Sequence, residues 1–192
     1  MLAISLMEDI EKDVAFLTSA IAFSEQKIAY CDSILWITSS PVTQWDTSRF
    51  YKNINVVSQS NPFFPTTGTY KQIVTSGSLK LFDQSIANQL NAYDMQLKKI
   101  AYWSEVEDES LWLMADILWT GINLRALGDI RFSEQTQKRQ FIKIEQSSVE
   151  KFVNLVSAVK IYRKKTLFEY QEQHQLAIEL LESLKTMYHL EG

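Results

Sequence analysis

Two histidines, one cysteine and four carboxylates between positions 105 and 109 are the side chains in this sequence best suited to chemistry. Their spacing limits what they can do. His174 has Tyr170, Gln171, Ala177 and Ile178 one helical turn away. No carboxylate there orients the ring or raises its basicity, so it reads as an ordinary surface or bundle-edge histidine. His189 sits at the chain end, where fraying is the rule. Neither histidine has a glutamate three residues before it, which a di-iron bundle requires. Cys31 lies on an apolar stripe and reads as a small core residue rather than a nucleophile. It is too far from both histidines to share a zinc site. Glu105, Glu107, Asp108 and Glu109 lack the glycine and the alternating spacing of a calcium loop and read as a solvated acidic face. The chain has no phosphate-binding P-loop, no glycine-rich dinucleotide turn, no H-E-x-x-H and no G-x-S-x-G. No catalytic residue, cofactor or metal is therefore expected.

The densest local signal runs from Thr69 to Tyr93. Thr69 and Gln72 have capping-box spacing, so the threonine hydroxyl is expected to accept from a first-turn N–H. Tyr70, Ile73 and Val74 then form a short helix. Ser76-Gly77 ends it, because glycine takes the left-handed position without a Cβ clash. Asp83 is placed to cap the helix that follows. These residues shape a binding pocket or cap helices and seal one end of a bundle, and the second role already accounts for most of them. Trp112 and Trp119, seven apart on one helix, form a helix–helix contact or a surface for a partner.

The elements that would position these residues are helices. Ala3, Met7, Ile10, Val14, Leu17, Ile21, Ser24, Ile28, Cys31 and Leu35 alternate spacings of four and three, predicting a helix about 50 Å long. Phe16, Phe23 and Tyr30 widen its stripe, which suits a bundle. It should stop near Thr38–Pro41, because the residue before proline resists helical angles. Within the connector over 41–67, Trp45, Phe50, Tyr51, Ile54 and Val57 predict a short helix. The NPFFP run enforces extended backbone, with two rings expected to plug a bundle end. A second long helix is predicted from Ile86 through Leu118 to near Gly128, unless Ser104 and Glu107 form a capping box and split it. Residues 129–146 carry no assignable pattern. Phe152, Val156, Val159, Tyr170, Ala177, Leu181, Leu184 and Tyr188 outline the buried face of a third. The expectation is a single all-α domain over 1–192, an elongated helical bundle of three long helices plus short helices in the connector.

Phe64-Pro65, Thr69-Tyr70, Ser76-Gly77 with Leu79 and Leu81, and a helix carrying Leu90 and Tyr93 resemble a family of bacterial proteins called domain of unknown function six-zero-nine-zero. The LMEDIEKDVAFL and KIAYCDSIL runs are similar to that family's opening. The resemblance covers most of the chain, and its short motifs are modestly specific. It implies a single transmembrane helix just before the domain, an inner-membrane location and a domain facing the periplasm. A chain beginning in mid-pattern is expected to be a piece of a longer one. The sequence itself holds no stretch approaching the roughly 20 apolar residues of a span, so without an upstream span the domain is expected in the cytoplasm.

A net charge of −4 leaves no basic footprint for nucleic acid. The leading expectation is a non-enzymatic module that binds a protein partner or senses a small molecule at a bacterial membrane. A scaffold that self-associates through its apolar stripes is the alternative. An enzyme built from scattered Tyr, Asp and Glu is the third.

Overall fold

A computed structural model of the protein describes residues 2–123, 127 and 145–188. Five α-helices account for most of them: α1 (Leu2–Ile37), α2 (Thr47–Val57), α3 (Gly68–Thr75), α4 (Gln84–Gly121) and α5 (Gln146–Met187). Two 3₁₀ turns, Val42–Gln44 and Ser78–Leu81, also occur, and no strand is found among the described residues. The all-helical expectation holds. α4 is continuous through Ser104 and Glu107, so no second cap divides it. It closes at Gly121, and Gly128, where its end was expected, lies outside the described residues. So does nearly all of the unassigned stretch 129–146, and so does His189.

The chain forms two compact units, and α1, α4 and α5 each contribute to both. The first takes its described residues from the ranges Met1–Ala22, Pro62–Tyr102 and Thr166–Gly192. Its core gathers Leu6 and Ile10 of α1, Ile73 of α3, Leu90 of α4 and Leu184 of α5. A smaller cluster joins Leu17, Ile100 and Tyr170 around Phe63. The second unit takes its described residues from Phe23–Asn61 and Trp103–Lys165. Here α2 supplies Phe50, Tyr51 and Ile54 to a core shared with Ile34, Met114 and Phe152. Each of these large side chains gains roughly 1.5–3 kcal/mol from leaving water, which holds a short helix too small to stand alone. The Asp46 carboxylate caps α2 by accepting the Arg49 N–H at 3.0 Å.

Three sequence expectations are corrected by burial. The buried stripe of α1 runs through Leu6, Ile10, Asp13, Leu17, Ala20, Ser24, Lys27, Cys31 and Ile34. Val14, Ile21, Ile28 and Leu35 flank it and are only half-buried. Met7, Ile10, Leu17, Ser24 and Cys31 are buried as expected, and counting apolar residues missed the rest in part because two of the buried positions hold charged groups, Asp13 and Lys27. The NPFFP rings also divide: Phe63 is buried against Phe16 and Tyr170, whereas Phe64 is exposed and plugs nothing. The extended, proline-bounded backbone points successive side chains to opposite sides, so one ring faces the core and the next faces water. Tyr188, expected on the buried face of α5, is exposed as well.

Candidate functional sites

In the first unit, two carboxylates of α1 hold the chain that enters α3. Asp13 is buried and accepts two hydrogen bonds, from the Thr66 N–H at 2.8 Å and from the Tyr93 hydroxyl of α4 at 2.6 Å. One turn earlier, Asp9 accepts from the Thr69 hydroxyl at 2.7 Å and from the Thr69 N–H at 3.3 Å. The expected capping box is absent. α3 starts two residues earlier than that box requires, at Gly68, and the Thr67 side chain caps nothing. Thr69 therefore sits inside the first turn, where its hydroxyl donates to Asp9 instead of accepting from the backbone. A carboxylate from another helix thus does the work of the local cap, and its charge suits the positive end of α3.

Tyr93 is pushed above the ordinary tyrosine range by burial, with the Asp13 charge adding to the effect. It stays a phenol and a donor. Gln173, fully buried on α5, directs its amide toward this hydroxyl but completes no hydrogen bond of ordinary geometry. A small, partly open cavity of about 10 Å³ lies beside the group, with Asp13, Thr66, Thr67, Tyr70 and Tyr93 in its wall. That is room for about one water molecule and for no organic substrate. Tyr70 is half-buried in the same wall, its hydroxyl pushed up by burial and then by the Asp94 charge.

Ser76 and Gly77 are elsewhere, at the far end of α3. Gly77 has φ of +70° and ends the helix as its sequence predicts. Ser76 Oγ lies 2.7 Å from Ser78 Oγ. Of the five motif residues, Thr69, Tyr70 and Tyr93 gather around the Asp9–Asp13 clamp, and Ser76 and Gly77 do not. All five have structural work to do. The clamp's carboxylates were missed. Their signal was the i, i+4 pair Asp9/Asp13, with Asp13 falling on the three-four spacing of the α1 stripe.

The second unit contains a buried charge cluster that sequence reasoning also missed. Glu107, expected on a solvated face, is 1% exposed. Its Oε1 accepts from Lys27 Nζ at 2.8 Å and from Arg163 Nε and Nη2 at 3.0 and 2.8 Å. Lys27 Nζ also donates to the Gln59 carbonyl at 2.6 Å, and Arg163 Nη1 donates to Ser24 Oγ at 3.4 Å. Phe23 lies against the guanidinium, 5.9 Å from ring centroid to Cζ. Burial drives Lys27 below the ordinary lysine range, the Glu107 carboxylate works against that, and the Arg163 charge adds to it. Glu107 Oε2 has no partner. Ser24 was the polar break in the expected stripe of α1, Ser104 and Glu107 were those in the stripe of α4, and Ser24 and Glu107 are the sites where this cluster enters the core.

Cys31 lies in the core of the same unit, and burial raises its thiol to about 12. At neutral pH it is a protonated packing residue. His174, in the first unit, is half-buried with Nε2 3.1 Å from the Thr18 hydroxyl. Among the described residues no group of three or more His, Cys, Asp or Glu side chains is arranged to hold a metal ion, and no helix is long and apolar enough to cross a membrane.

Trp112 and Trp119 stand on the outer face of α4 in the second unit. They are 70% and 55% exposed, and Leu113 between them is 62% exposed. Trp45, in contrast, is buried with its Nε1–H donated to the Ser40 carbonyl at 2.7 Å. Indole rings gain much by leaving water, and here two of them stay in it on one open helix face. No family model matches this chain, and no curated protein or solved structure matches it either.

Proposed function

We propose that this protein is a non-enzymatic helical module that binds another protein through the outer face of α4, and that it works at a bacterial membrane. The observation that carries the reading is the exposure of Trp112, Leu113 and Trp119 within about two turns of one continuous helix. Interfaces draw their energy from a few aromatic anchors that lose their water on binding. The reading takes α1, α4 and α5 as the three long helices of a bundle. It also takes the likeness to the bacterial family of unknown function as the reason for a membrane anchor upstream and a periplasmic position. The clamp and the charge cluster fit this reading as internal fastenings, since the first leaves space for one water and the second is closed to solvent.

The test is comparative co-purification from the native host, using full-length wild type and the W112A/W119A variant. Matching far-UV circular dichroism and melting curves are required first. A protein retained by wild type and lost from the variant supports the proposal. Identical sets of co-purifying proteins would refute it, and recovery of the full-length protein from the freely soluble fraction would remove its membrane part.

A further inference from the structure

The tryptophans of α4 sit in an unusual charge setting. Glu105, Glu109, Trp112, Asp116 and Trp119 follow one another at spacings of four, three, four and three, and all are exposed. They form a single stripe along the helix. No lysine or arginine occurs in the sequence between Lys99 and Arg125. Among the described residues, the ion pairs leave Glu105, Glu109 and Asp116 unused. The stripe therefore offers two aromatic anchors flanked by acidic side chains that have no ion-pair partner among the described residues.

We infer that the partner of this face is a basic amphipathic helix, with apolar side chains seven residues apart flanked by lysine or arginine. The inference rests on the protein-binding reading above and specifies its ligand. Spacing supplies the helix. Trp112 and Trp119 are separated by about 10 Å along α4 at ~1.5 Å per residue. A second helix laid alongside repeats its own side chains at the same seven-residue interval, so both anchors find partners. A strand does not. At ~3.3 Å per residue its same-face side chains fall about 6.6 or 13 Å apart, and the residue at about 10 Å points to the opposite face.

Charge supplies the sign. Opposite charge on the partner speeds encounter and fixes register, whereas like charge is repelled. A second copy of this face would set acid against acid. An anionic lipid surface would be repelled in the same way. Nucleic acid is excluded by the same argument.

The test is photo-crosslinking in the native host, with a benzophenone amino acid replacing Leu113 in the full-length protein. The expected result is an adduct to a segment carrying apolar residues seven apart and flanking lysines or arginines. Its yield should fall at least about tenfold in W112A/W119A and in E109K/D116K, as for the loss of interface anchors. A synthetic peptide of the crosslinked segment should bind wild type more weakly as salt rises. The same peptide with glutamate in place of its basic residues should prefer E109K/D116K. An adduct to an acidic or neutral segment of another protein overturns the basic-helix inference and leaves the protein-binding reading standing. An adduct to a second copy replaces both with self-association. An adduct to lipid, or no adduct, overturns both.

Discussion

Replacing Glu107 by glutamine tests the account of the buried cluster most directly. The carboxylate oxygen Oε1 takes three donors, two from Arg163 and one from Lys27, all buried. Removing the negative charge leaves two cations in the core with nothing to neutralise them. Breaking a buried pair in this way costs about 3–5 kcal/mol, a large part of the roughly 5–15 kcal/mol that stabilises a typical domain. Lys27→Met should behave very differently. It removes one of the two cations and leaves Glu107 facing Arg163 alone. The loss is the bond to the Gln59 carbonyl, about 1–3 kcal/mol if that group stays dry. The gain is that a lysine no longer has to be desolvated, so the net change should lie within about 2 kcal/mol of zero. In the Lys27→Met background, Glu107→Gln should cost less than it does alone, because only one cation is then stranded. Urea unfolding followed by far-UV circular dichroism measures all three variants. Equal losses for the two single variants, or strict additivity in the double, would show that the charges do not act as one unit.

Further outcomes follow from the same physics. Lys27 has a folded pKa below its unfolded value of 10.5, so the unfolded chain binds more protons between the two. Its contribution to stability must rise with pH across that window, and the difference between wild type and Lys27→Met, measured by urea unfolding at several pH values, should show this rise. Cys31 has the opposite sign: with its thiol raised from 9.0 to about 12, its stabilising contribution is full below pH 9 and is lost as pH rises toward 12. Its alkylation at neutral pH should therefore track global unfolding, and fast labelling by a maleimide in the native state would contradict its placement. Tyr93→Phe removes a 2.6 Å bond to buried Asp13 and should cost about 1–3 kcal/mol by chemical denaturation. Gly77→Ala should cost about 1–2 kcal/mol, all of it from the +70° φ, because a Cβ there meets nothing within 4 Å.

The apolar and turn signals of the sequence were read correctly where each residue obeyed its usual habit. Gly77 stops α3, the short helix expected through Phe50, Tyr51, Ile54 and Val57 forms as α2, and the stripe of α4 from Ile86 to Leu118 is largely buried. Reading failed where a residue broke its habit. Asp13 and Lys27 occupy core positions, so a hydrophobic count steps around them to Val14 and Ile28. Glu107 looked like part of an acidic surface because Glu105 and Glu109 are. Its burial depends on Lys27 and Arg163, distant in sequence, which no local pattern ties to it. Thr69 was assigned a local acceptor's role because Asp9, its actual partner, lies 60 residues away. Trp112 and Trp119 were narrowed to one helix face, but whether that face was open required the packing of the other elements.

The charge cluster also governs which pairing of helices the second unit can accept. Heptad-like stripes resemble themselves after a shift of seven residues, so apolar contacts alone distinguish poorly between neighbouring alignments. A one-heptad slip of α1 would carry Lys27 away from Glu107 into apolar surroundings and leave its charge unmatched. The cluster therefore acts as an index mark, rejecting misaligned pairings during folding at the expense of some final stability. A variant in which Lys27, Glu107 and Arg163 are all replaced by methionine or leucine is expected to resist urea at least as well as wild type. Its amide spectrum should nevertheless broaden or double as more than one alignment becomes populated.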